Sequence, residues 1–216
     1  MAGAVNPRRR YHSPLRVEQA EQTRRRILSA ARQLFVERGF TATTVAAVAQ
    51  AAGVSPDIIY VSLGGKRGLL EGVLEMAISG LDDPSAMREQ RFREELGQLS
   101  DPHQRLREWV RYSCQVLART SPVHAVIRGA ADSDAFAAEL RRRLLQRRLE
   151  GQTATVRAYL DGALRPGLSI EEAGERFCAL SSPELYHLLV AELGWPPGRH
   201  ETWLTQLLEA ELLIPA

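Results

Sequence analysis

Cysteine and long apolar segments are both scarce in this chain of 216 residues. Cys114 and Cys178 are its two cysteines, too few for a disulfide framework, so we expect a reducing, cytoplasmic environment. The sequence has no run of about 18 apolar residues, the length a membrane helix needs. The longest uncharged run, residues 39–56, is rich in Thr, Ala and Gly, so we predict no membrane span. The basic triplet at residues 8–10 has no apolar segment after it, so we predict no secretion signal.

Aromatic residues are also few, at 6% of the chain, while Ala, Leu, Arg and Glu dominate, which favours helix. Apolar residues make up 44% and charged residues 25%, a composition typical of folded globular proteins. Helical periodicity runs almost from end to end, without an alternating strand pattern and without a repeat of fixed length. These features predict an all-α fold.

The net charge of +2 conceals an uneven distribution. Residues 1–67 contain eleven Lys and Arg against four Asp and Glu, whereas residues 68–216 contain seventeen against twenty-two. A basic first third on an acidic remainder suggests a head that binds a polyanion. Charge alone leaves open a chance division of an arginine-rich chain.

Turn and capping residues divide the helical pattern. A long helix over residues 17–38 ends at Gly39, and Thr44 and Ser55 cap two short helices, the second ending near residue 62. A fourth helix spans residues 66–80, and the Asp-Asp-Pro sequence after it is the best internal boundary. Beyond that boundary we predict helices over residues 101–120, from 121, over 134–164, from 169 with a Ser-x-x-Glu capping box, over 182–194 and over 199–213.

Two short helices joined through Gly53 and preceded by a longer one have the layout of a helix-turn-helix, whose second helix enters the DNA major groove. Spacing alone is a moderately specific signal. The residues at these offsets resemble the TetR-type (tetracycline-repressor-like) DNA-binding domain over about residues 21–81. The resemblance is carried by residues 27–40, Thr43, Thr44, Val45, Ala49, residues 51–55, Ile59, Tyr60, Lys66, Leu69 and Leu70.

The resemblance implies a homodimeric, cytoplasmic transcription regulator, usually a repressor that a small-molecule effector releases from a palindromic operator. In that arrangement residues 1–20 are a basic flexible arm, and residues 21–81 are the DNA-binding domain, with the motif at about 44–63. The fourth helix then links this three-helix domain to a helical effector-binding and dimerisation domain over residues 82–216. No cofactor is implied.

Several residues of the motif are expected to contact DNA. Thr44 and Ser55 lie at helix N-termini, where free N–H groups favour a phosphate, although both are also ordinary capping residues. Tyr60 can place its hydroxyl on the backbone, and Lys66, the only lysine, begins the fourth helix. The predicted DNA contacts are Thr44, Ser55, Pro56, Asp57, Tyr60, Val61, Ser62 and Lys66, together with Arg8, Arg9 and Arg10.

The expected recognition helix, residues 56–62, departs from the family pattern because it has no Arg, Lys, Asn or Gln. It therefore lacks the bidentate contacts to guanine or adenine that give the strongest direct readout. Asp57 could accept from a cytosine amino group, or only stabilise its own helix dipole. Val61 and Ile58 could touch thymine methyl groups, although Ile58 could equally belong to the core. We hypothesise that the arginine triplet of the arm adds affinity through phosphates or the minor groove, a solubilising tail being the alternative.

The C-terminal region supplies candidates for an effector pocket and a dimer interface. Aromatic and polar residues between positions 101 and 177 could line a mostly apolar cavity, although each taken singly fits core or surface as well. The pocket candidates are Trp109, Tyr112, Cys114, His124, Arg128, Phe136, Tyr159 and Phe177. Leucine stripes on the last two helices, which the resemblance places at the dimer interface, predict contacts through Leu185, Leu188, Leu189, Trp203, Leu204, Leu207 and Leu208, with an intramolecular core as the alternative.

Catalytic and metal-binding motifs are missing, so we predict that the chain is not an enzyme and holds no metal. The Gly-Gly-Lys at residues 64–66 lacks the spacing of a phosphate loop, and the Glu-x-x-His at residues 184–187 has no second copy. The five histidines and two cysteines have no zinc spacing. Two other functions stay open: a sequence-tolerant architectural DNA-binding protein without an effector, and a ligand-dependent activator.

Overall fold

The structure, a computed structural model, describes residues 14–79 and 85–215. Within those ranges the secondary structure is helical, with one isolated β-bridge between Leu164 and Leu213, and the predicted all-α fold is confirmed. The helices are α1 (Pro14–Ala42), α2 (Val45–Ala52), α3 (Pro56–Leu63), α4 (Lys66–Ser79), α5 (Ser85–Gln98), α6 (Pro102–Ala131), α7 (Ala135–Tyr159), α8 (Ile170–Leu180), α9 (Pro183–Tyr186), a π-helix (His187–Glu192) and α10 (Pro197–Leu212).

Five helices, α2, α6, α7, α8 and α9, begin after a side chain that accepts a hydrogen bond from the first turn. The Thr44 hydroxyl accepts from the Ala47 N–H at 3.1 Å, as predicted. Ser169 and Glu172 form the predicted capping box, in which each side chain accepts from the other's backbone N–H. Ser55 precedes α3 but its side chain makes no capping bond, so that part of the prediction is wrong. Its backbone carbonyl accepts from the Ile58 N–H at 3.2 Å instead.

The first helix is longer than predicted. It begins at Pro14, so residues 14–20 of the predicted flexible arm are helical. At its other end Gly39 has φ 79° and ψ 167°, which interrupts the helix where a glycine stop was predicted. The buried Thr43 hydroxyl donates to the carbonyls of Gly39 at 2.8 Å and Leu34 at 3.1 Å. These bonds fix the turn that leads into α2.

Four further boundaries differ from the sequence expectation. Helix α6 passes through Pro122 without a break, and it is buried on both sides of the proline, at Thr120 and Ser121 before it and at Val123 and Ile127 after it. Helix α5 was not predicted, and α7 ends at Tyr159, ahead of a turn in which Gly162 has φ 82°. Helix α9 is only four residues long and continues as the π-helix.

Two hydrophobic cores organise the described part of the chain. The first joins α1–α4, and it continues into the second half of α6 and the start of α7 through residues such as Ile127 and Leu140. The second lies in the C-terminal body and includes Leu106, Phe177 and Leu208. Helix α6 belongs to both cores and so connects the N-terminal helices, the head, to the C-terminal body.

No single helix among the described residues has the length and apolar character needed to cross a bilayer. The pair α2 and α3 passes that test only when the two are taken together, and they are bent by 106° relative to each other.

Candidate nucleic-acid interface

The two short helices α2 and α3 form a bent unit joined by a glycine turn, with one buried residue on α3 and several on α2. Gly53 adopts the left-handed conformation with φ 65°, and its N–H donates to the carbonyls of Ala49 and Gln50. Ile59 is fully buried against the head core, which fixes the inward face of α3. The opposite face of α3 is therefore left outside the core, in the arrangement of a helix-turn-helix.

The outward face of α3 is mostly apolar. Val61 is 89% exposed, Tyr60 58% and Ile58 42%, so Ile58 is not a core residue. Asp57 is also exposed, whereas the Ser62 hydroxyl is engaged with the Ile58 carbonyl at 2.5 Å. This surface offers methyl groups, one carboxylate and one phenol to a partner, and no cationic side chain.

Lys66 is tied to the turn between α1 and α2. Its ammonium donates to the Thr41 carbonyl at 3.0 Å and lies 4.6 Å from the centroid of the Phe40 ring. Burial lowers the pKa of Lys66 below its ordinary value, and Asp134 opposes that shift. Lys66 therefore connects the start of α4 to the end of α1.

The remaining predicted DNA contacts within the described residues lie in α3 and at the starts of α2 and α3. Thr44, Ser55 and Pro56 are exposed at the starts of α2 and α3. Tyr60 lies over Gly65, where an added Cβ would be 3.1 Å from the Tyr60 Cε1 atom. The end of α3 thus lies against the start of α4, and the Lys66–Thr41 hydrogen bond holds the start of α4 against the turn before α2. Arg8, Arg9 and Arg10 lie outside the described residues.

A cavity of about 240 Å³ lies between α5, α6 and α7, and it contains only part of the predicted effector pocket. Trp109 and Tyr112 line it, and Phe177 stacks behind Trp109 with ring centroids 3.9 Å apart. The Tyr159 hydroxyl donates to the carbonyl of Arg93, which also lines the cavity. The lining residues in the described part of the chain are Ile78, Phe92, Arg93, Trp109, Tyr112, Ser113, Val116, Leu117, Arg148, Gly151, Gln152, Thr155 and Ser181.

Four other pocket candidates do not line this cavity, which corrects the prediction for them. Burial raises the pKa of the Cys114 thiol to about 12, and its sulfur lies 3.5 Å from His200 Nδ1 in the contact between α6 and α10. The Phe136 ring packs under the Arg67 guanidinium beside the head. His124 and Arg128 lie on α6 beyond Leu117, the last residue of this helix that lines the cavity.

Sequence reasoning missed Phe92 and Arg148 as cavity residues. Phe92 lies on α5, a helix that the pattern did not reveal. Arg148 is one of several arginines on α7, and the sequence contains no signal that separates it from its exposed neighbour Arg147.

The predicted dimer residues divide into core and surface. Leu204 and Leu208 are fully buried inside the chain and Leu189 is nearly so, which assigns these three to packing within one protomer and corrects the prediction. Leu188 is 43% exposed and Leu193 is 61% exposed. Leu185, Trp203 and Leu207 are partly buried within the chain.

The second half of α6 holds a histidine whose protonation opposes folding. Burial, helped by the nearby Arg148 and opposed by Glu184, lowers the pKa of His124 from 6.5 to about 4. The unfolded chain therefore binds a proton at His124 more readily than the folded chain does. The contribution of neutral His124 to the free energy of unfolding is complete above pH 6.5 and is lost as the pH falls toward 4.

We expect wild type to lose about 2 kcal/mol of unfolding free energy between those pH values relative to His124→Gln. Urea unfolding across the pH range measures this difference, and His103→Gln, at the other end of α6, is the matched control. Parallel curves for wild type and His124→Gln would contradict the prediction.

Together, the bent helix pair α2 and α3, with the outer face of α3 exposed, has the geometry of a helix-turn-helix DNA-binding unit. Residues 27–73 match the family model of the bacterial regulatory proteins of the tetR family. Over these residues the chain therefore matches a TetR-type helix-turn-helix domain, as predicted.

Relatives with curated descriptions match this chain over short segments. The uncharacterized HTH-type transcriptional regulator YvkB of Bacillus subtilis (strain 168) is 44% identical over 52 residues, which are 24% of this chain and 28% of that protein. The HTH-type transcriptional regulator TtgR of Pseudomonas putida is 38% identical over 58 residues, which are 27% of this chain and 28% of TtgR. The matched region thus spans less than a third of either relative.

The fold likeness extends much farther. The crystal structure of NalD, the secondary repressor of the MexAB-OprM multidrug efflux pump in Pseudomonas aeruginosa, has a TM-score of 0.69 at 21% identity. The alignment covers 92% of this chain and 100% of NalD. At this identity the likeness establishes the fold of the C-terminal body and leaves its ligand and partners open.

Proposed function

We propose that the chain is a cytoplasmic, homodimeric transcriptional repressor that leaves a palindromic operator when a small-molecule effector binds the body. The observation that carries the proposal is the continuity of the head core into α6 and α7, two of the helices that line the cavity. An effector that displaced α6 would move α1 and α4 with it, and hence the two DNA-binding heads of a dimer. Repression rather than activation is favoured by the likeness to NalD, which is a repressor.

The dimer is supported by apolar surface at the end of the body. Leu188 and Leu193 point away from the core, and Trp195 packs edge-to-face against Trp203 with ring centroids 5.9 Å apart. Burying such a patch against its two-fold mate removes apolar area from water. A two-fold axis there would present two α3 helices to half-sites about 34–36 Å apart.

Selection from a pool of random duplexes tests the proposed function. Purified full-length protein is incubated with the pool at physiological salt, and bound duplexes are sequenced after each round. Enrichment of one inverted repeat supports a sequence-specific regulator. Equal recovery of all duplexes would instead support the architectural protein, the alternative that the apolar face of α3 favours. The selected repeat would also identify candidate regulated genes.

The exposed methyl groups of α3 are proposed to read thymine. Val61 is the most exposed large apolar residue on this helix, and apolar contact with the thymine methyl group is a known mode of base readout. Asp57, on the same helix, supplies the one carboxylate, which can accept from a cytosine amino group.

Replacing one thymine of the selected half-site by deoxyuridine, which lacks only the methyl group, is expected to weaken binding about 3- to 10-fold, in the range expected for a small apolar contact. Val61→Ala should weaken binding to the thymine duplex similarly and should be insensitive to the deoxyuridine replacement. Fluorescence anisotropy of wild type and Val61→Ala with both duplexes gives the four affinities of a double-mutant cycle. Val36→Ala, which changes an exposed residue of α1, is the control. Additive losses at every thymine would contradict the assignment.

The arginine triplet of the arm is proposed to contact phosphates. Because α1 begins at Pro14, deletion of residues 1–13 removes Arg8, Arg9 and Arg10 and leaves the helix intact. Three lost phosphate contacts should reduce the slope of log affinity against log salt by about 2 to 3. Operator titrations at several salt concentrations measure the slope, and replacement of the three arginines by glutamine in the full chain is the matched variant. An unchanged slope would show that the arm does not bind DNA.

A further inference from the structure

We propose that the cavity binds an anionic, amphipathic small molecule, a carboxylate on an apolar body, and that Arg148 is its anchor. This inference rests on the proposed function, because it assigns the chemical class of the effector. It depends on the charge and hydrogen-bonding of the lining residues, which the family resemblance does not specify.

The aromatic walls of the cavity suit a flat apolar group. Trp109 is backed by Phe177, and Phe92 stacks on Tyr112 with ring centroids 4.2 Å apart and planes 9° from parallel. Two stacked pairs therefore contribute aromatic surface to a space of about 240 Å³. Such a volume accommodates one aromatic ring with a short chain rather than a large polycyclic molecule.

Arg148 is the polar feature that this cavity leaves least satisfied. Its side chain is only 22% exposed. The Nε group donates to the Cys178 sulfur at 3.4 Å, a weak acceptor, and Nη1 lies 3.9 Å from a Glu184 carboxylate oxygen, beyond hydrogen-bond distance. A half-buried guanidinium with five donors is costly without strong acceptors, and a carboxylate supplies two in matching geometry.

The other lining groups agree with an anion. Among the described residues that line the cavity, Arg93 and Arg148 are charged and neither Asp nor Glu is present. The hydroxyls of Thr155 and Ser181 donate to backbone carbonyls at 2.9 and 2.7 Å, so the Arg148 guanidinium, rather than these hydroxyls, would donate to a carboxylate. The neighbouring space of about 410 Å³, beyond the Phe92–Tyr112 pair, is lined by side chains of both charges, namely Arg91, Arg111, Glu95 and Glu108. The anionic preference is therefore specific to the cavity that contains Arg148.

The pairing of Arg148 with Glu184 connects the ligand site to the proposed dimer surface. Glu184 belongs to α9, which continues directly into the π-helix that bears Leu188. A ligand carboxylate bound to Arg148 competes with Glu184 for the guanidinium. The competition would loosen the contact between α7 and α9 and thereby alter the body where the two protomers meet.

Isothermal titration of the full-length protein with three probes of one skeleton tests the inference. The probes are hydrocinnamate, hydrocinnamamide and phenylpropylamine, which are anionic, neutral and cationic at neutral pH. We expect hydrocinnamate to bind at least about 10-fold more tightly than the amide, as charge-assisted hydrogen bonds require, and the amine to bind most weakly. Binding of the amide or the amine as tight as that of hydrocinnamate would overturn the proposal, as would no hydrocinnamate binding at about 10 mM, near the weakest affinities that titration resolves.

Two variants and a matched control distinguish a specific contact with Arg148 from a general effect of positive charge on anion binding. Arg148→Gln is expected to reduce hydrocinnamate affinity at least about 10-fold, whereas Arg147→Gln removes the same charge from the exposed neighbouring position and should change affinity less than about 2-fold. Glu184→Gln keeps the anchor but removes its competitor, so it should strengthen binding, and it remains informative if Arg148→Gln fails to fold. Equal losses for the two arginine variants, or weaker binding by Glu184→Gln, would overturn the assignment. Because the titration contains no DNA, its outcome is independent of the duplex selection that tests the proposed function.

Discussion

Gly68→Ala is expected to disrupt the DNA-binding head. A Cβ added at Gly68 in α4 would coincide with the backbone carbonyl oxygen of Leu63, the last residue of α3, and would lie 2.7 Å from the carbonyl carbon. Both neighbours are backbone atoms, so no side-chain rotation relieves the clash. Helix α4 would have to move away from α3, and the surface formed by α2, α3 and the start of α4 would be lost.

We expect the free energy of unfolding to fall by about 3 kcal/mol or more, at the upper end of the cost of overpacking, and operator affinity to fall at least about 100-fold. Urea unfolding followed by circular dichroism and anisotropy with the selected duplex measure the two effects. Gly97→Ala is the control, because no atom lies within 4 Å of its added Cβ and alanine favours helix by about 1 kcal/mol. If the two variants unfolded at the same urea concentration, the close approach of α3 and α4 would be wrong.

Leu188→Glu is expected to separate the dimer without unfolding the protomer. Leu188 is exposed on the π-helix, so a glutamate there is solvated in the monomer but would bury a charge in the proposed interface. Loss of the dimer uncouples the two half-sites, so operator affinity should fall about 100-fold or more.

Light scattering gives the mass of the species, and circular dichroism confirms that it is folded. Leu145→Glu, a substitution at a similarly exposed leucine on α7, should leave both mass and affinity unchanged. A Leu188→Glu protein that stays dimeric and binds its operator normally would place the interface elsewhere.

The DNA-binding head could be predicted closely from the sequence because its determinants are local. Thr44, Gly53 and the apolar spacing around Ile59 set the helix starts, the turn and the inward face within a few residues of each other. Ser55 was predicted as a cap from its position, but whether its hydroxyl bonds its own helix depends on a side-chain orientation that the pattern does not specify.

The body was predicted less well because its packing is between distant segments. Pro122 marks a helix start in most sequences, yet here α6 is continuous through it, with Val123 and Ile127 buried against the head. Leu204 and Leu208 follow a stripe that could serve either an interface or a core, and only the arrangement of α6, α8 and α10 assigns them to the core. For the same reason periodicity could not distinguish Arg148, which lines the cavity, from the arginines around it.

A hydroxyl-radical footprint on the selected duplex tests the central claim most directly. A homodimer that inserts one α3 per protomer should protect one face of the duplex in two patches whose centres are about 34–36 Å apart, with the two patches related by the dyad of the repeat. Adding hydrocinnamate, the carboxylate probe proposed to bind the cavity, should remove both protected patches together. Protection spread evenly along the duplex, or a single patch without a dyad, would contradict the account of a dimeric operator-binding regulator.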